Sequence, residues 1–273
     1  MKNVLRSVAL SVVLAGGLTE AVAQQTGARP GYQMVFRDEF TGKNGSQPDT
    51  AVWTRLRKGP STWDRHFSPL SRLGELRGGK LVLRGLPNRY VADDKRELLT
   101  GGFKTQGKFA FQYGLLEVRL KTRNRDGNFP AVWLLPQLPN DDKFYGGEID
   151  VFETVDRRSL SYHTVHTANY AYTDATDKKH IQKVFTKELK TDRWHVYGME
   201  WTPTDITFYV DGDPVGTYRK SADSGELAKG QWPFDHPFYI IVNQAVGDGS
   251  WAKSADVTQK YETQIDWIRV YQK

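Results

Sequence analysis

The sequence predicts an all-β, antiparallel β-sandwich, and three observations carry that prediction. Short runs with apolar and polar residues in strict alternation recur along the chain. Glycine-rich and Asp-Gly turn signals separate them. Helical periodicity is scarce, with one turn near Ser221 to Lys229 as its clearest instance. Many short strands without intervening helices argue a sandwich rather than a parallel α/β sheet. No repeat, low-complexity segment or linker divides the 273 residues, a length that can bury a sizeable core.

The first residues read as a secretory signal peptide. Lys2 and Arg6 form a basic start, Val8 to Leu18 an apolar run too short to span a membrane, and Ala21-Val22-Ala23 a small-residue cleavage site. The expected boundaries are 1–23 for the signal, 24–32 for a flexible leader with Gly27, Pro30 and Gly31, and 33–273 for a single catalytic domain. Export to the periplasm or the medium is expected. The cysteine count of 0 excludes disulfides, thiolate metal sites, a Cys nucleophile and a lipidated Cys. A formal charge of +6, about +5 without Lys2, Arg6 and Glu20 of the signal, is mild for this length. No basic cluster is interleaved with stacking aromatics, so a nucleic-acid partner is not expected; neither is a membrane span, and the chain is expected to be a monomer. Aromatic residues at 12% are generous and serve either a core or platforms for sugar rings.

In chain order, Met34 to Phe40 is the first expected strand and Lys80 to Arg84 the second, after a Gly78-Gly79 turn. Between them Asp49 to Leu73 reads as loop, with Trp53 packed inside and Trp63 a candidate cleft residue. Tyr113 to Lys121 puts Leu116, Val118 and Leu120 on one face and Glu117, Arg119 and Lys121 on the other. Asn128 to Pro136 is an aromatic apolar strand. Tyr162 to Thr167 follows the central motif, then a polar loop near Asp174 to Lys179. Trp194 to Thr202 comes next, and then Asp205 to Lys220, broken by the hairpin signal Asp211-Gly212. Phe238 to Ala245 and Gln264 to Gln272 complete the set.

The central motif is Gly147-Glu148-Ile149-Asp150-Val151-Phe152-Glu153. In a regular strand Glu148 and Asp150 share a face, while Glu153 points to the other. One extra residue among Asp150, Val151 and Phe152 would form a bulge and return Glu153 to the Glu148 face. Three crowded acids repel, which is unfavourable for stability alone. At about 3.3 Å per residue the outer backbones lie roughly 13 Å apart, so side chains leaning inward could reach the roughly 5–5.5 Å that suits retaining glycoside hydrolysis.

This motif, with Phe36-Arg37-Asp38-Glu39-Phe40 near the start and Ile265-Asp266-Trp267-Ile268-Arg269-Val270-Tyr271 near the end, resembles glycoside hydrolase family 16. That family includes laminarinases, lichenases, agarases, carrageenases and endo-β-galactosidases. The two apolar residues before Glu153 resemble its bulged, laminarinase-like and galactan-cleaving members. The resemblance implies a β-jelly roll of the concanavalin A-like kind with a concave substrate cleft, and no cofactor for catalysis. By motif position it implies Glu148 as nucleophile, Glu153 as acid/base, and Asp150 between them orienting Glu148 and tuning the pair.

Further roles follow from the same resemblance. His166 matches the His of the family's Thr-Val-His strand and is expected to face the leaving-group side; the alternative is a structural His. A zinc site of His163 with His166 fails because an i, i+3 pair on a strand points to opposite faces. Trp133 is a candidate sugar platform or core residue, Asn243 a candidate donor to a sugar hydroxyl, and Trp251 and Trp63 candidate cleft aromatics. Glu39 and Asp266 stand where some members hold a structural calcium, with surface acids as the alternative. Phe129 departs from the Trp of laminarinase-like members, and Lys143-Phe144-Tyr145-Gly146 replaces their short Trp-containing loop. Both departures leave two substrates open: a β-1,3 or mixed-linkage glucan, or a galactose-containing glycan such as a mucin O-glycan, keratan or algal galactan. A sugar-binding lectin on the same sandwich is the remote alternative, though it has no need for three acids together.

Overall fold

Alternation along each strand becomes two antiparallel sheets in the computed structural model, which describes residues 30–137, 147–167 and 182–273. The signal peptide, most of the leader, the Lys143 to Gly146 stretch and the Asp174 to Lys179 loop lie outside the described residues. The early strands are β1 (Gln33–Asp38), β2 (Thr54–Arg55), β3 (Gly74–Leu76), β4 (Leu81–Pro87), β5 (Leu98–Thr100), β6 (Gly102–Lys104), β7 (Ala110–Phe111), β8 (Gly114–Thr122) and β9 (Asn128–Pro136). The later ones are β10 (Glu148–Glu153), β11 (Leu160–His166), β12 (Gln182–Glu188), β13 (His195–Trp201), β14 (Asp205–Val210), β15 (Asp213–Arg219), β16 (Phe238–Val246) and β17 (Tyr261–Gln272).

One sheet runs β15-β14-β13-β8-β17-β4-β3, with β1 against β17 and β5 against β4. The other runs β12-β11-β10-β9-β16-β6-β2, with β7 against β16. We call them the outer sheet and the cleft sheet. Between them lies the core: Leu116, Val118 and Leu120 from β8 meet Ile149, Val151, Phe152, Ile240 and Val242 from the cleft sheet, and all are buried. A smaller apolar layer covers the far face of the cleft sheet, built on Ala131, Trp133, Tyr239 and Ile241 beneath Phe67 and Leu56. Strands β9 and β16 are therefore covered on both faces, which explains their near-continuous apolar sequences.

Local chemistry accounts for the ends and turns. Strand β1 stops at Asp38, two residues before the expected end, because the Asp38 carboxylate accepts from the Phe40 amide at 2.8 Å and turns the chain. Phe40 then enters the core with φ of 48°. The expected Asp49 to Leu73 loop contains β2, paired with β6, and a 3₁₀ turn at Ser71–Leu73; two strand residues are too few to show a period. Asp211 and Gly212, at φ of 53° and 88°, make the tight β14–β15 turn. The short helix α1 (Ser224–Ala228) starts on an Asp223 cap that accepts from the Gly225 and Glu226 amides. No helix among the described residues is long and apolar enough to cross a membrane.

Candidate active site

The register of β10 decides where its acids point. Against β9, Ile149 pairs with Leu134 and Asp150 with Trp133, but Phe152 pairs with Val132, so Val151 is the extra residue. Against β11 the same shift appears: Glu148 faces His166, Asp150 faces Thr164 and Glu153 faces Tyr162. The bulge puts Val151 and Phe152 side by side in the core and returns Glu153 to the cleft face. Glu148, Asp150 and Glu153 line one cavity of about 230 Å³. Gly147 precedes them at φ of 68°, where a Cβ would lie 2.7 Å from the His166 carbonyl oxygen, so only glycine lets the chain enter β10 here.

The acids share few counter-charges. His166 Nε2 lies 3.1 Å from Asp150 Oδ2 and 3.7 Å from Glu148 Oε1. Burial opposes a charge on the ring, but the hydrogen bond to Asp150 and the charges of Asp150 and Glu148 raise His166 to about 9. Burial, followed by the Asp150 charge, pushes Glu148 up to about 8, and His166 partly offsets this. Glu153 is pushed well above the ordinary carboxylate range by burial, then by Asp150 and Glu148, with no cation among the described residues to offset them. Both glutamates are thus pushed up, and they differ in that Glu148 has the His166 imidazole beside it to draw its proton affinity down. The donor atoms of Glu148, Asp150 and His166 also fall within 4.8 Å of one another, close enough to be ligands of one metal ion.

Aromatic rings wall the cavity. Trp133 is 6% exposed, and its indole N–H donates to Asn243 Oδ1 at 2.7 Å, so Asn243 acts first as a brace for Trp133. Trp63 stands edge-on to Trp133 at 4.8 Å and also lines a second cavity of about 400 Å³ on the same sheet face. On the other side Phe129 meets Trp251 at 5.0 Å, and Trp251, 41% exposed, forms a rim. Its loop is tightly held: Gly247 has no room for a Cβ, which would lie 2.2 Å from the Lys253 carbonyl oxygen. Buried Asp156 accepts from the Gly127 and Lys253 amides, tying that loop to the turn after β10.

Some expected residues sit elsewhere. His166 does not line the cavity; it backs the Asp150–Glu148 pair, because β11 lies beside β10 and cross-strand neighbours share a face. Glu39 is held by a two-pronged contact from Arg269 at 2.9 and 3.1 Å, and Asp266 by Arg119 and Lys80. Cations of the chain are partners of both carboxylates. Sequence reading missed Tyr162, which meets Trp251 at 5.3 Å, and the Arg65–Asp248 ion pair that links two cleft loops. Alternation from His166 through Thr164 to Tyr162 would have found the tyrosine; nothing local marks the ion pair.

A row of carboxylates on the floor of an aromatic-walled cleft in a β-sandwich defines a carbohydrate-active site of the glycosidase class. Comparison with known proteins gives the particular family. The chain belongs to glycosyl hydrolases family 16, whose model matches residues 88–269, and the fold is the β-jelly roll of that family's structures. A keratan-sulfate endo-1,4-β-galactosidase of Sphingobacterium multivorum is 34% identical over 93% of this chain, which spans 58% of that relative's length. A β-glucanase of Rhodothermus marinus is 28% identical over 99% of this chain and 96% of its own. The solved structure of a non-specific endo-β-1,3(4)-glucanase superposes with a TM-score of 0.75 at 27% identity, covering 90% of this chain and 92% of that one.

Proposed function

We propose that this chain is an exported, endo-acting β-glycan hydrolase in which Glu148 is the nucleophile and Glu153 the acid/base. The observation that carries the reading is the Val151 bulge, which brings both glutamates to one cavity with Asp150 between them. Glu148 attacks the anomeric carbon while Glu153 gives its proton to the departing oxygen, and an α-linked glycosyl ester forms. Glu153, now ionised, takes a proton from water, which displaces Glu148 and restores the β configuration. Asp150 and its His166 partner orient Glu148. The two cavities meeting at Trp63 suit a chain that runs through the cleft, as an endo mode requires. Export is supported by the basic, apolar and small-residue series ending at Ala23, and the purified chain would then begin near Gln24.

The substrate we favour is a β-1,3 or mixed-linkage glucan, in keeping with the glucanases this chain resembles over most of their length. A galactose-containing glycan is the second reading. Two observations favour it: the keratan-sulfate relative, and the second cavity, where Arg57 and Lys104 could meet an anionic substituent beside Asp64. The test is product chromatography after digestion of laminarin, lichenan, agarose, keratan sulfate and mucin glycans. Oligosaccharides from laminarin or lichenan support the first reading, and products from keratan sulfate alone select the second. In parallel, Glu153→Ala should regain turnover with azide on an activated aryl glycoside and give the β-glycosyl azide. An α-glycosyl azide from Glu153→Ala together with a β-glycosyl azide from Glu148→Ala would reverse the two roles.

A further inference from the structure

His163 lies on the side of the cleft sheet away from the carboxylates, fully buried between the sheets, and the proposed chemistry does not use it. Its place in the register is specific. Thr164 faces Asp150 and Tyr162 faces Glu153, so His163 is the single β11 residue opposite the doubled step of Val151 and Phe152. Val151 has no register partner on β9 or β11. The His163 ring reaches across this gap: Nδ1 lies 2.7 Å from the Val151 carbonyl oxygen, which can only accept, so Nδ1 carries the proton. Nε2 then accepts from the Ser161 hydroxyl at 2.9 Å, the tautomer being fixed by the Val151 carbonyl.

The surroundings are apolar. The ring packs against Phe208 and Tyr197 at 5.6 and 6.3 Å, and Phe152 meets the same Tyr197 at 4.4 Å. A leucine would fill such a place without needing two polar partners. What an imidazole adds is a donor for the carbonyl of the one β10 residue that has no register partner on either neighbouring strand. Without it, one competing arrangement becomes cheaper: a bulge moved along β10, which restores the carbonyl's partner and swings Glu153 from the cleft.

We propose that His163 is a positioning residue, clipping the Val151 carbonyl so that the bulge stays at Val151 and Glu153 stays where proton transfer needs it. This rests on the reading of Glu153 as acid/base. The test compares a polysaccharide the wild type cleaves with the 2,4-dinitrophenyl glycoside of its repeating disaccharide, whose leaving group needs no proton. His163→Leu should lose about tenfold or more in kcat on the polysaccharide, since a misplacement near 1 Å costs that much or more. The burst of dinitrophenolate should stay within about threefold of wild type, because glycosylation of Glu148 does not need the acid. His163→Asn, whose amide can reach the same carbonyl, should recover most of the loss. Ser161→Ala, which keeps the ring but leaves its buried Nε2 without the hydroxyl that holds it against the Val151 carbonyl, should show a smaller loss with the same leaving-group bias.

Equal losses on both substrates, full activity of His163→Leu, or no rescue by asparagine would overturn the proposal. If His163→Leu does not fold, Ser161→Ala decides: no leaving-group bias in that variant also overturns it. Glu153→Gln is the control. If it lacks the leaving-group bias, the acid/base assignment itself fails. If it shows the bias and His163→Leu does not, only the role of His163 falls.

Discussion

The two sheets place charges on their outward faces by the same alternation, yet treat them in opposite ways. On the outer sheet opposite charges meet: Arg119 with Asp266, Arg269 with Glu39, and Arg84 with Glu75 at 3.0 Å. On the cleft sheet three acids stand together along β10 with His166 as the cation within reach of two of them. The first arrangement is what folding alone would favour, and the second costs stability. Alternation therefore creates both surfaces, and the choice of partners separates a supporting face from a working one. The Trp194 ring illustrates the supporting kind, with Arg119 and Lys121 at 4.8 and 4.9 Å.

The largest contrast is expected from Glu148→Gln. Activity on any substrate should fall on the order of 10⁴-fold or more, because no glycosyl-enzyme can form. Above about pH 5 thermal stability should hold or rise, since glutamine removes a buried group whose ionisation the fold opposes. A stability loss in calorimetry comparable to that of a broken outer-sheet pair would erase the distinction between the faces.

His166→Gln probes the cation that stands beside Glu148 and Asp150. His166 draws the Glu148 proton affinity down, so its loss should move the acid limb of the kcat/KM–pH profile upward by about one unit. An unmoved limb would mean that Glu148 is set by burial and Asp150 alone.

The pH dependence of stability should also carry the signature of the cleft. Glu148, raised from 4.5 to about 8, binds more protons folded than unfolded between those values, so stability falls as pH rises through that window. His166, raised from 6.5 to about 9, stabilises fully below 6.5 and loses that contribution as pH climbs through 9. Asp211 of the outer sheet has the opposite sign. Burial opposes its charge, but the His195 hydrogen bond holds it low, and its contribution disappears only as pH falls below the ordinary carboxylate range. Melting temperature should therefore decline from about pH 5 to about pH 9, and Glu148→Gln should flatten the decline. A rising curve over that range would contradict the cleft electrostatics.

The smallest effect is expected from Arg119→Ala, which removes a half-exposed ion pair with Asp266. The cost should be under about 1 kcal/mol in chemical denaturation, with kcat unchanged. A large activity loss would show that the outer face is not merely supporting.

Much of this protein is written locally. Strand alternation is visible in Leu116, Val118 and Leu120, the turn in Asp211-Gly212, and the need for a bulge in the odd spacing of Glu148 and Glu153, because backbone sterics and side-chain period act within a few residues. The same rule sends His163 and His166 to opposite faces. What it cannot supply is the identity of the neighbour across a strand boundary. Trp133 and Asn243 are 110 positions apart, and Arg269 and Glu39 are 230 apart. Only the sheet order makes one pair a brace for the cleft and the other an ion pair of the outer sheet. In the sequence His163 enters only a zinc pairing that strand geometry rejects; with β11 against β10 its ring meets the Val151 carbonyl. A hydrogen bond or ion pair depends on distances of about 3 Å, and those are set by which strands pack side by side, not by the periodicity of either strand alone.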